Sequence, residues 1–515
     1  MKYFERNIET GEYYKILASF IVISLIIISS IFLIRQNYFE DVPTGYKTYY
    51  NMLLSERSPG NFFSRVSQDP QSIEKKIIFQ ETGHIILDEL SKIVPAEYST
   101  TSQFIFLYII SLINMILFVM LIKKFTRDLM TIFATGLFFI TSPQFVYLPA
   151  ILSPIVITNL LILVLAHILL KYESSQKKIT RIILGMVAVV ISVLLSVTNV
   201  VYFIAIMFIG AGFFFVMNKT VKRKGIYFAI SSASIITFFC VNYNLFVTDS
   251  IGLFFSNYNI FPSQIFSEMG VFQGIRIVDL FLSIIGIGLI WNKKRKYYIT
   301  SLIAVLIILA SFKIYDFNSI MFPVLAILSG ISYSMLARMK WDLEYIKKIC
   351  MIIIVIFTLV SCVQYIILLG FSEPYPDKYV TFSYMSRQGT SKDVVLSSIE
   401  NGYLIEEISK KRAVLDSNMN GIENVQRKII EYNSVFNSRS LDYVRRYFLK
   451  KNITYVVIDK TMKENLWNSK VDGLYFVMKN SDSFRKIYTK NDLEIYQFQP
   501  RPLPNNIPHN SSATA

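Results

Sequence analysis

The sequence predicts a polytopic α-helical membrane protein of about eleven transmembrane helices, with a small extracytoplasmic α/β domain at its C-terminal end. Three observations predict it. Apolar runs of membrane-spanning length recur along the chain, basic residues crowd into alternate connections between them, and after Gly370 the pattern changes to short strands alternating with charged helices.

Of 515 residues, 53% are hydrophobic and only 17% charged, and the mean hydropathy is +0.45. A water-soluble globule has no use for so much apolar surface; a chain solvated by lipid does. The runs cover residues 16–34, 103–122, 129–147, 150–170, 182–197, 199–217, 226–247, 278–292, 298–312, 319–337 and 349–370. Roughly 20 helical residues at 1.5 Å each cross a hydrocarbon core about 30 Å thick, and most of these runs approach that length. The two between 278 and 312 are short, as expected of tilted or re-entrant segments.

Charge sets the orientation. The first run is longer than a signal-peptide core and no small-residue cleavage pattern follows it, so it reads as a retained anchor with the N-terminus in the cytoplasm. The cytoplasmic connections are then Lys123 to Arg127, Lys171 to Arg181, Lys219 to Lys224, Asn292 to Lys296 and Arg338 to Lys348, and each is basic. The net charge of +16 is thus a topology signal, and no nucleic-acid partner is expected. An odd number of spans places the loop 35–101 and everything after 370 outside the cell membrane. Cys240, Cys350 and Cys362 all lie within apolar runs, which argues against a disulfide framework or a zinc site.

The domains follow: a transmembrane domain over 1–370 that includes the outer loop 35–101, an extracytoplasmic α/β domain over 371–499, and a disordered tail over 500–515. In the outer loop, Tyr46, Tyr49, Tyr50, Leu53 and Leu54 recur at helical spacing, as do Ile73, Ile77, Ile78, Ile85, Ile86, Leu90 and Ile93, predicting two amphipathic helices lying on the bilayer surface. Beyond Gly370, Val394 to Leu396, Ala413 to Leu415 and Tyr455 to Ile458 read as buried strands, interleaved with helices over Gly402 to Lys411, Gly421 to Tyr432 and Ser440 to Lys451. A hairpin of Phe484 to Thr489 and Leu493 to Phe498 closes the pattern. The tail is rich in Pro, Asn and Ser. Phosphate-loop, dinucleotide and zincin motifs are absent from the sequence.

Three stretches give the layout a family likeness: Tyr38-Phe-Glu-Asp-Val-Pro-Thr-Gly-Tyr46 after the first run, Thr141-Ser-Pro-Gln-Phe145 after the third, and Phe317-Asn-Ser-Ile-Met-Phe-Pro323 entering the tenth. Together with the order of parts, they resemble the GT-C superfamily of polytopic glycosyltransferases, which includes protein O-mannosyltransferases, aminoarabinose transferases and oligosaccharyltransferase catalytic subunits. The resemblance spans nearly the whole chain. It implies inverting transfer of a sugar from a polyprenyl-phosphate carrier to a glycan, lipid or protein acceptor at the outer face. It also implies that one or two carboxylates of the first outer loop serve as catalytic base or as ligands of a divalent cation, Mg or Mn; the matching residues here are Glu40 and Asp41. The arginine that the family often carries near the third stretch is missing, and Lys313 is the nearest substitute.

Residue chemistry agrees. Asp41 and Glu40 follow the first run closely, where a carboxylate reaches both a lipid-borne phosphosugar and an acceptor, although two solvated loop acids would look the same. Lys313, Arg276 and Arg35 are cations at outer membrane boundaries, suited to a donor phosphate and equally to headgroup snorkelling. His84 and Asp88, spaced i and i+4, suit a shared metal or proton or a plain surface contact. His167 reads as a packed residue or helix–helix hydrogen bonder, and Glu268, Asp279 and Asp316 as solvated acids. Two other function classes fit a polytopic chain. A transporter or lipid flippase would carry charged or broken helices near the midplane and related halves, which the sequence does not display, and a membrane scaffold or receptor would leave no motif at all.

Overall fold

The computed structural model describes residues 10–39, 42–43, 45–56, 66–67, 78–79, 86–87, 89, 92, 99–198, 224–241, 274–291, 305, 318–417, 422, 424–467 and 472–499. They fall into two compact units that divide between Pro374 and Tyr375.

The first unit is helical. Its described helices are α1 (Thr10–Phe39), α2 (Tyr46–Glu56), α3 (Ser99–Phe125), α4 (Leu129–Ile140), α5 (Pro143–Ala150), α6 (Ile155–Ser174), α7 (Lys178–Thr198), α8 (Lys224–Val241), α9 (Ile277–Trp291), α10 (Asn318–Arg338) and α11 (Glu344–Gly370). Six of them are long and apolar enough to cross a membrane, seven when α4 and α5 count as one bent span. Residues 199–217 and nearly all of 298–312 lie outside the described residues, so eleven spans stay an expectation. Large apolar side chains lie exposed on these helices, among them Ile26 and Phe32 on α1 and Ile352 and Ile356 on α11. In water each would forfeit about 1.5–3 kcal/mol of burial; against acyl chains they are in their proper solvent. The protein is a multi-pass membrane protein.

Two departures from the sequence reading concern local structure. The third run does not continue to residue 147: it breaks after Ile140 and resumes, bent by 41°, at Pro143. Ser142 has extended φ/ψ and caps α5, its hydroxyl accepting from Phe145 N, and Pro143 occupies the first turn, where it costs no hydrogen bond. Every residue of α5 is buried. In the loop after α2, Ile78 lies in a short strand, not an amphipathic helix: β1 (Val66–Ser67) pairs antiparallel with β2 (Ile78–Phe79).

Small residues bring helices of this unit together. Gly330 of α10 backs onto α4, where an added Cβ would lie 2.6 Å from the backbone N and Cα of Thr135. Phe118 of α3 and Phe139 of α4 stack with ring centroids 4.0 Å apart, and Phe322 of α10 meets Phe139 at 5.0 Å.

The second unit opens with α12 (Pro376–Ser386), then β3 (Val394–Leu396), a 3₁₀ turn (Ile399–Asn401), α13 (Gly402–Glu407), β4 (Arg412–Ala413), α14 (Val425–Asn437), α15 (Leu441–Lys451), β5 (Ile453–Ile458), α16 (Lys460–Asn465), α17 (Gly473–Asn480), β6 (Phe484–Lys490) and β7 (Leu493–Phe498). The sheet order is β4-β3-β5-β7-β6, with β3 parallel to β4 and β5, and β7 antiparallel to both β5 and β6. Its core joins Val456 and Ile458 of β5 to Val435 and Phe436 of α14 and Phe448 of α15. The predicted strands are present, with β4 shifted toward Arg412.

Candidate active site

The candidate site is built from the end of α1 outward. Helix α1 carries Arg35 in its last turns, and the guanidinium turns inward, only 5% of the residue being exposed. It lies over the ring of Phe39, 4.1 Å from the centroid. Nε and Nη2 both donate to the carbonyl of Val42, at 2.9 and 2.6 Å, and Nη2 also reaches Pro43 O at 2.9 Å. Nη1 donates to Ser372 O at 2.7 Å and Gly370 O at 3.3 Å, where α11 ends. One cation therefore gathers carbonyls from residues 42–43 and from residues 370–374, two segments far apart in the chain. The C-terminal carbonyls of a helix lack intrahelical partners, and a cation is their natural complement.

Further bonds run alongside. Val42 N donates to Phe39 O at 2.9 Å and Gly45 N to Glu373 O at 3.0 Å, while the Tyr46 hydroxyl donates to the Glu373 carboxylate. Phe371 packs its ring against Tyr38 and Phe39, with centroids 5.1 and 5.9 Å away. Gly370 lets α11 approach α1, since a Cβ there would lie 2.7 Å from Ile34 Cγ2. Next along the chain, Asn51 of α2 donates to Ile151 O at 2.8 Å, tying α2 to the residue that follows α5. Glu40 and Asp41 lie outside the described residues, between Phe39 and Val42, both of which this arrangement holds. Lys313, His84, Asp88, Glu268 and Asp316 also lie outside.

A second buried cation sits at the break between α4 and α5. Arg276, 1% exposed, precedes α9. Its Nε and Nη2 hold the Asp279 carboxylate at 2.8 and 3.0 Å, Nη2 also donates to Phe138 O at 3.0 Å, and Nη1 donates to Thr141 Oγ1 at 2.8 Å and Thr358 O at 3.5 Å. The first half-helix thus ends against a guanidinium that also links α9 and α11. Asp279 is accordingly buried and paired, not solvated as its sequence position suggests. The single run 129–147 expected from hydropathy overlooks this break, whose signal was present in Thr141-Ser142-Pro143. His167 donates from Nδ1 to Leu163 O at 2.9 Å within α6, and among the described residues it has no bond to another helix.

Among the described residues no group of three or more His, Cys, Asp or Glu side chains is placed to hold a metal ion. The divalent cation expected at Asp41, Glu40 and His84 therefore depends on residues outside the description.

In the second unit, one polar cluster is buried where β3 and β5 end. Lys378 pairs with Asp459 at 2.9 Å, and Asn401 donates to the same carboxylate at 2.9 Å and to Ser397 Oγ at 3.0 Å. Burial alone would raise the Asp459 pKa, but Lys378, Asn401 and the Met462 N–H outweigh it and hold the carboxyl below its ordinary value.

No family model matches the sequence, and no curated protein matches it. Solved structures do match in fold. The archaeal oligosaccharyltransferase AglB from Archaeoglobus fulgidus, in complex with an inhibitory peptide and a dolichol-phosphate, aligns over 96% of this chain and 75% of its own, at 14% identity and TM-score 0.63. ArnT from Cupriavidus metallidurans, in the apo state, aligns over 93% of this chain and 97% of its own, at 8% identity and TM-score 0.53. The chain shares the fold of these proteins, as the resemblance to the GT-C superfamily leads one to expect. The arabinofuranosyltransferase AftD from Mycobacteria aligns over 94% of this chain and 41% of its own, at 13% identity and TM-score 0.52. At such identities the likeness is one of fold, and catalytic residues do not transfer with it.

Proposed function

We propose that this GT-C-fold chain is a membrane glycosyltransferase that moves a sugar from a polyprenyl-phosphate donor to a glycan, lipid or protein acceptor at the outer face. The observation that carries the reading is the match of almost the entire chain, membrane helices and C-terminal unit together, to enzymes that include one bound to dolichol-phosphate and a peptide. The bracing of the chain on both sides of Glu40 and Asp41 supports it.

In this reading Asp41, with Glu40 beside it, accepts the proton of the acceptor nucleophile. The acceptor atom then bonds to the anomeric carbon from the face opposite the phosphate, inverting it. The bond from that carbon to the phosphate oxygen breaks, its electron pair leaves with the polyprenyl phosphate, and Lys313 offsets the charge. Bound Mg or Mn would supply further charge stabilisation, with Asp41, Glu40 and His84 as its ligands. Arg276 and Arg35, also donor-phosphate candidates by sequence, have guanidinium groups engaged with protein oxygens, so in this reading they brace the protein and Lys313 is left to meet the phosphate.

The test is Asp41→Asn, which keeps size and removes charge. Turnover with a polyprenyl-phosphate sugar should fall by roughly 10²–10⁴-fold while the folded yield stays constant. Unchanged transfer would remove Asp41 from the role. A second reading, transport, gains support from the broken α4–α5 pair with a buried ion pair at its break, since such features mark transporter sites. Each N–H of Arg276 already has a protein acceptor, however, which suits a brace better than a binding site.

A further inference from the structure

We propose that α12 is an interfacial helix whose outer face, formed by Tyr375, Tyr379 and Val380, docks on the phospholipid headgroups at the side of the bilayer where α1 and α11 end. Sequence spacing divides the helix into two faces. Lys378, Thr381, Phe382 and Met385, spaced i, i+3, i+4 and i+7, are all buried. Lys378 is held on that side by Asp459 at 2.9 Å. Tyr375 at the N-cap, and Tyr379 and Val380 within the helix, are instead 47%, 37% and 39% exposed. Scattered single apolar side chains are ordinary on a protein surface, but these three gather on one side of a single short helix.

Connectivity brings this face to the membrane. The apolar span of α1 has 29 residues, longer than a hydrocarbon core of about 30 Å requires, so its last turn reaches the headgroup zone. Tyr38 in that turn is exposed, and its ring meets that of Phe371, exposed just past the end of α11, at 5.1 Å. Aromatic rings with an apolar body and a polar tip collect at this depth. The chain stays at the end of α1 until the second unit begins. Arg35, in the last turns of α1, donates from Nη1 to Ser372 O at 2.7 Å and from Nη2 to Pro374 O at 3.4 Å, and Gly45 N donates to Glu373 O at 3.0 Å. Tyr375 is the next residue, its Cα only about 3.8 Å further on, and Tyr379 follows one helical turn later. Water gains nothing from these two rings, whereas the headgroup zone accepts ring body and hydroxyl together. Arg387, exposed at the C-cap of α12, offers a cation to a lipid phosphate.

The experiment uses the full chain in nanodiscs of phosphatidylcholine and phosphatidylglycerol, with Cys240, Cys350 and Cys362 replaced by alanine and the fluorophore NBD attached through Val380→Cys. Part of the phosphatidylcholine carries a nitroxide quencher, either on the headgroup or near the end of an acyl chain. The headgroup nitroxide should quench the label strongly, the acyl-chain nitroxide less, and iodide in the buffer little. Adding Tyr375→Ser and Tyr379→Ser, in a chain whose thermal unfolding stays cooperative, should remove about half or more of the headgroup quenching and open the label to iodide. Tyr375→Trp with Tyr379→Trp, which keeps amphipathic rings, should retain the parent behaviour. A label quenched by iodide and by neither lipid means that the face lies in water; one reached by no quencher means that protein covers it, a second copy included. Either result overturns the proposal, as does headgroup quenching that the folded serine variant leaves unchanged.

Discussion

Arg276 grips the carboxylate of Asp279 three residues further along with two of its nitrogens, at 2.8 and 3.0 Å, and both residues are buried at the point where α4 gives way to α5. Removing one partner of such a pair strands the other's charge in a low-dielectric interior. Arg276→Met should therefore lower stability by about 3–5 kcal/mol. The double change Arg276→Met with Asp279→Leu should recover much of that loss. Denaturation of the detergent-solubilised chain followed by tryptophan fluorescence measures both, and additive single and double effects would show that the pair is not coupled.

Helix packing offers a contrast between two glycines. Gly330 faces the α4 backbone at Thr135, whereas Gly288 on α9 has nothing within 4 Å of where its Cβ would stand. Gly330→Ala must push two helix backbones apart and should cost about 1–3 kcal/mol, while Gly288→Ala should be neutral or slightly stabilising. Thermal unfolding of the two variants side by side decides the matter; equal behaviour would count against the close approach of α4 and α10.

Glu494 on β7 supplies a pH dependence. Burial alone would raise its pKa, but the Tyr496 hydroxyl and the ammonium groups of Lys463 and Lys486 overcome this and bring it down to about 2, against an ordinary 4.5. A carboxylate depressed on folding contributes stability that is fully present above about 4.5 and is lost as the pH falls towards about 2. Glu494→Gln should thus destabilise the second unit at neutral pH, and the difference from the parent should shrink through that acid window. Pulsed hydrogen exchange on peptides covering β5 and β7 reads the effect. A gap between parent and variant that is constant with pH would argue against the shift.

The basic connections at Lys123 to Arg127, Lys171 to Arg181 and Arg338 to Lys348 predict a cytoplasmic N-terminus and an extracytoplasmic C-terminal unit. A cysteine placed by Asn465→Cys, in the C-terminal unit, should react with an impermeant maleimide on intact cells. Labelling that needs lysis would invert the assigned topology.

Much of this architecture was legible in the sequence, because lipid solvation and strand pairing both leave periodic signals. Hydropathy marked α1, α3, α10 and α11, and the short apolar runs at 394–396 and 455–458 marked buried strands. The likeness to the GT-C fold was visible in the order of these parts and in three short stretches. What the sequence did not disclose was decided by contacts between residues far apart in the chain. Nothing near Arg35 announces that its acceptors include Gly370, Ser372 and Pro374, and nothing near Arg276 announces Phe138 and Thr141. A cation at a membrane boundary looks the same in sequence whether it meets a lipid phosphate or the carbonyls of a helix end, since both present oxygen to the same donors. Local composition fixed where helices and strands form, through solvent preference and backbone geometry. Only the packing of distant segments determined which buried charges brace the fold.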